Sequence, residues 1–151
     1  MEFGWINVFG AVIVALMLIP NIVYAIKNKG EKNLCANRFM NVVEQIGRYA
    51  CIVLMWLPLL VWKFEFASVL DMMLYMACNG LLLAAYWIAF AFYMKRRSVR
   101  LALVLAVLPS CIFLLCGILL KHWLLVAFAV LFAIGHIYVT YKNAILIKDR
   151  N

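Results

Sequence analysis

Glu44 and Arg48 stand four residues apart, the spacing that places an acid and a base on one helical face, and Asn37, Asn41 and Gln45 share that face. Carboxylate, guanidinium and amide together can bind a polar solute, hold an ion pair or pass a proton. His136 adds a group that titrates near neutrality, with Gly135 beside it and Thr140 one turn later. Asn21 follows Pro20, whose missing N–H frees a carbonyl that a neighbour, water or a solute has to satisfy. Asn21, Glu44, Gln45, Arg48, His136 and Thr140 are therefore the candidate binding residues. Plainer readings stand beside this one. Glu44 and Arg48 can pair with each other at a solvated helix end, His136 can bond a backbone carbonyl, and Asn21 can bond the broken backbone of its own helix.

A second stripe, Asp71, Tyr75, Asn79 and Tyr86, repeats at near-helical spacing. Asp71 reaches a surface by snorkelling, whereas Asn79, about 12 Å deeper along a helix, has to bond across a helix interface. The opposite face carries Ala77, Gly80, Ala84 and Ala91, small enough for another helix to approach closely. Other chemistries lack their residues. No H-E-x-x-H pair, glycine-flanked serine or C-x-x-C dithiol occurs. Four of the five cysteines, Cys51, Cys78, Cys111 and Cys116, lie in apolar runs as small hydrophobes, while Cys35 lies outside them. His122 and His136 are too far apart on one helix to share a haem iron. No metal or cofactor is expected.

The elements that position these residues are apolar. The 151 residues are 70% hydrophobic and 13% charged, against about 45–50% and about 25% in soluble domains. A helix needs about 20 residues to cross a hydrocarbon core of about 30 Å. Cutting the chain at its charge clusters gives five such runs: Ile6 to Ile26, Met40 to Trp62, Val69 to Met94, Leu101 to Leu120 and Trp123 to Tyr141. The expected architecture is all-α, a single transmembrane bundle of about five helices with no soluble domain. The weakest cut is Lys121-His122, where a re-entrant hairpin is the alternative. Glu2 ahead of the first run, with no basic region and no small-residue cleavage site, points to a retained helix in place of a signal peptide.

Twelve of the fourteen basic residues fall in or beside the first loop, the third loop and the tail, and only Lys63 and Lys121 fall in the others. That asymmetry predicts a cytoplasmic C-terminus and an external N-terminus in a plasma membrane, the bacterial inner membrane. Trp5, Trp62 and Trp123 then mark the outer boundary and Tyr24, Tyr93 and Tyr141 the inner one. A net charge of +8 distributed this way reports topology and argues against nucleic-acid binding. The expected partners are the bilayer, including anionic lipids at the cytoplasmic loops, and other copies of the chain as a homo-oligomer. Three functions remain, in descending order: binding or passage of a small solute at the inner-leaflet polar cluster, a non-catalytic assembly subunit, and an enzyme acting on lipid. Catalysis comes last because no nucleophile or metal set accompanies Glu44 or His136.

Overall fold

The computed structural model describes residues 6–29, 33–57, 59 and 65–149. Glu2, Trp5, Trp62 and Lys63, used above to place the spans and their direction, lie outside the described residues, as do Lys32 and Arg150 among the basic residues counted there. Five helices are formed: α1 (Val8–Lys27), α2 (Arg38–Leu54), α3 (Val69–Lys95), α4 (Val99–Leu119) and α5 (Trp123–Lys148). Among the described residues there is no β-strand.

Each of the first four helices starts where a short polar side chain can bond a free amide of the first turn. Asn7 accepts from Gly10 N, Asn37 from Met40 N, Ser68 from Asp71 N and Ser98 from Leu101 N. The α4–α5 reversal uses a different device. Lys121 takes a left-handed conformation (φ 52°), and His122 N donates to Gly117 O at 2.8 Å, closing the end of α4. The chain thus turns back within two residues, and both flanking helices are long and apolar enough to cross a membrane.

Helices α1, α3, α4 and α5 meet that standard, whereas α2 does not. It has 17 residues, about 25 Å of helix, and its first half carries Asn41, Glu44, Gln45 and Arg48. Among the described residues of the run expected to reach Trp62, the helix ends at Leu54. Leu57 precedes a proline in the sequence, and a residue in that position is driven away from helical geometry. Helix α5 differs in the other direction, continuing past Tyr141 to Lys148 because Ala144 and its neighbours keep an apolar face. Lys142, read as its limit, extends over the Tyr138 ring.

Sequence order and spatial order agree for α3, α4 and α5 but not for α1 and α2. Helix α2 lies against α5, α5 against α4, α4 against α3, and α3 against α1. Contacts between Asn7 and Tyr75, Asn21 and Tyr86, and Asn28 and Arg97 run α1 and α3 in the same direction. Glu44 beside His136 and Gly47 beside Phe132 make α2 and α5 antiparallel. These directions gather Lys27, Lys29, Arg38, Lys95, Arg96, Arg97, Arg100, Lys142 and Lys148 at one end of the bundle, the basic end. Lys121 is at the other.

The core is closed by Tyr75, Ile112, Phe113, Cys116 and Leu125, all nearly inaccessible. A polar thread passes through it. Asn7 Nδ2 donates to the Tyr75 hydroxyl at 3.5 Å, Asn79 Nδ2 to Tyr75 O at 2.8 Å, and Cys116 Sγ to Asn79 Oδ1 at 3.4 Å. Asp71 stays at the opposite end, held by Ser68 Oγ at 2.9 Å. Outside, large apolar side chains such as Val8, Ile22, Leu81 and Ile134 are exposed, an exterior suited to hydrocarbon. Ala77, Gly80, Ala84 and Ala91 also face outward, and a methyl group added at Gly80 would touch nothing within 4 Å.

Pro20 and Pro109 sit inside uninterrupted helices. Proline at position 20 removes the donor for Leu16 O, one turn back. The indole N–H of Trp87, on α3, bonds that carbonyl at 3.2 Å.

Candidate functional site

Two polar pairs lie in the half of the bundle nearer the basic end, one between α2 and α5 and one between α1 and α3. On α5, the His136 Nδ1–H donates to Glu44 Oε1 at 3.0 Å, and Arg48 Nη2 donates to the same oxygen from one turn along α2. The carboxylate is a charge removed from solvent, with only 7% of its side chain exposed, and it needs such partners to be tolerated. Arg48, at 45%, reaches outward from it. On the other side, Asn21 Nδ2 donates to the Tyr86 hydroxyl at 2.8 Å and to Met17 O at 2.9 Å.

Close approach of two helices makes the first pair possible. A Cβ on Gly135 would lie 2.7 Å from Glu44 N, and one on Gly47 would lie 2.7 Å from Phe132 Cα. Only hydrogen fits at either position. Phe132 then stacks on the His136 ring, centroids 4.7 Å apart and planes 17° apart, which holds the imidazole edge toward Glu44. The spacing Glu44 to Gly47 and Phe132 to His136, three and four residues, keeps each glycine or ring on the face of the group it serves.

A cavity of about 420 Å³ opens at the basic end, lined in part by Tyr24, Asn28, Asn33, Thr140 and Asn143. That volume is in the range of small-molecule sites. Thr140 is one turn from His136 and Tyr24 is three residues from Asn21, so the two pairs begin one helical turn deeper than the cavity wall. Asn143 Oδ1 accepts from Leu34 N at 2.8 Å, fixing the segment before α2 against α5 beside the cavity.

The candidate residues therefore separate. Glu44, Arg48 and His136 come together, Asn21 pairs with Tyr86 instead, Thr140 lines the approach, and Gln45 is exposed on the outer side of α2. Asn37 and Asn41, read on the same face as Glu44, serve the start of α2 instead. Asn37 caps it, and Asn41 Nδ2 bonds Cys35 O at 2.9 Å. His136 meets a carboxylate, not a backbone carbonyl. Sequence reasoning did not single out Gly47, Phe132 or Asn143, and it placed Tyr86 only in the α3 stripe. The available signal was register: Gly47 and Phe132 lie one turn from the two ionisable groups.

His122 is the other buried imidazole. It is fully enclosed at the opposite end of the bundle, with Nε2 3.1 Å from Leu59 O, and burial holds it below its ordinary value. Among the described residues no three His, Cys, Asp or Glu side chains are grouped to hold a metal ion. No protein-family model, curated protein or solved structure matches the chain.

Proposed function

We propose that the chain is a multi-pass membrane protein, its basic end and C-terminus cytoplasmic, that binds or passes a small polar solute at the Glu44, Arg48 and His136 cluster. The single observation that carries this reading is a nearly buried carboxylate shared by groups from two helices, one turn from a cavity at the basic end. An ionisable group at that depth costs a few kcal/mol and is retained in membranes chiefly at solute or proton paths. The cluster has a definite switching chemistry. A proton delivered to Glu44 weakens its hold on Arg48 and frees the guanidinium for an anionic group of the solute. Deprotonation restores the internal pair and releases the solute. A bundle of 151 residues is small for a pathway of its own, so the working unit is a homo-oligomer in the plasma membrane.

The experiment is uptake of radiolabelled solute into proteoliposomes under an imposed pH gradient, with a panel of organic acids, amino acids, sugars and inorganic ions. At least one solute is expected to accumulate in a way that Glu44→Gln and Arg48→Ala abolish while both variants remain monodisperse. No uptake by the native protein across the panel, or full uptake in both variants, overturns the proposal.

A second reading, an assembly subunit, draws on the outward face of Ala77, Gly80, Ala84 and Ala91, which admits another helix. Reproducible co-purification of one partner, lost on Gly80→Leu, favours it.

A further inference from the structure

A second cavity at the basic end, about 700 Å³, lies where the α3–α4 connection meets the last turns of α5. Its lining includes Arg96, Arg97, Arg100 and Lys148, and no carboxylate. Topology alone requires cations in this loop and in this tail. It does not require that Lys148 converge with Arg96 and Arg100 on one concavity from a helix end 48 residues further along the chain. Among the described residues, Arg96, Arg100 and Lys148 have no acidic side chain within ion-pair distance, so no carboxylate there offsets their charge and an anion in the cavity is attracted by all three. Asp149 follows Lys148 but does not line the cavity.

Arg97 is pre-positioned. It donates to Asn28 Oδ1 and lies over the Tyr24 ring, 5.7 Å from its centroid, which fixes the loop against the end of α1. The remaining wall is apolar, with Val99, Leu101, Ala144 and Ile147 below the cations. Guanidinium groups match the paired oxygens of a phosphate.

We infer that this cavity is a binding site for a phosphate ester anion, held by Arg96, Arg97, Arg100 and Lys148. The chemistry is shared by the headgroup of an anionic phospholipid and by a soluble phosphate, and the cavity is separate from the Glu44 cluster.

Native mass spectrometry of the detergent-solubilised protein tests it with two probes, phosphatidylglycerol and inorganic phosphate. The triple variant R96Q/R100Q/K148Q is compared with R38Q/K95Q/K142Q, which removes three charges from the same end but none from the cavity lining. The native protein is expected to retain one probe molecule, and the first triple variant to lose at least about tenfold in affinity, from about 1 kcal/mol per basic residue with allowance for exposure. The second is expected to bind normally. Retention of phosphatidylglycerol alone assigns the site to a lipid headgroup, and retention of inorganic phosphate assigns it to a soluble ester. Equal loss in both triple variants, or no retention of either probe, overturns the inference. R100Q alone, on an exposed helix-start side chain, provides the same reading should the triple variant misfold. Glu44→Gln should leave this binding unchanged, which separates the result from the fate of the solute site.

Discussion

Replacing Gly135 with alanine tests whether helix contact positions the Glu44–His136 pair. The new Cβ would lie 2.7 Å from Glu44 N, 2.8 Å from its Cα and 3.0 Å from its Cβ, whereas ordinary contact begins near 3.4 Å. Two of these atoms are backbone, so no side-chain rotation relieves the clash, and α2 has to withdraw by about 0.7 Å, the difference between 2.7 and 3.4 Å. A 3.0 Å hydrogen bond between His136 and Glu44 lengthened by that amount reaches about 3.7 Å, outside the roughly 3.2 Å limit of an effective N–H···O bond. The packing cost is about 1–3 kcal/mol. Thermal unfolding in detergent should show Gly135→Ala destabilised by that amount, with Gly80→Ala, which meets nothing within 4 Å, as a neutral or slightly stabilising control. Because the bond is already lost, adding His136→Gln to Gly135→Ala should cost less than His136→Gln does alone. Native-like stability of Gly135→Ala, or simple additivity of the two changes, would refute the reasoning.

Two further outcomes concern His122 and the bond from Trp87 to Leu16 O. His122 is held neutral by burial, so its folded-state value lies below the ordinary value of about 6.5. Above that pH neither folded nor unfolded chain binds the proton. Below it the unfolded chain does and the folded one resists, so stability falls as pH drops. The unfolding midpoint should decrease between pH 7.5 and 5.5, and the decrease should be smaller in His122→Gln. At the first proline, Trp87→Phe strips Leu16 O of its donor and should cost about 1–3 kcal/mol. Pro20→Ala, which returns a backbone N–H to that carbonyl, should largely remove the penalty when combined with it, as read from the same unfolding curves.

The helices were legible because lipid-length apolar runs separated by cations leave few alternatives. Their neighbour order was not. Helices such as α4 and α5 are apolar on most of their circumference, so periodicity names no inward face, and five such cylinders can be arranged in several ways. Order comes instead from a few specific pairs. Glu44 and His136 were recognisable as groups at similar depth, but their juxtaposition depends on Gly47 and Gly135 letting backbones approach. Neither glycine has a side chain to advertise that role. The end of α2 falls short of Trp62 because the proline after Leu57 acts on the residues before it, whereas the length and apolarity of the run from Met40 carry no mark at Leu54. His122 looked like half of a polar break, yet its ring turns inward to Leu59 O.

The pairing of α2 with α5 also has a consequence for biogenesis. Helix α2, the least apolar of the five, finds its principal companion in α5, well after it along the chain. Ninety-four residues separate Leu54 from Lys148, so a ribosome adding about 5–20 residues per second leaves α2 waiting roughly 5–20 s. During that interval Glu44 has Arg48, on its own helix, but not His136. The polar cluster therefore first comes into being when α5 closes on α2.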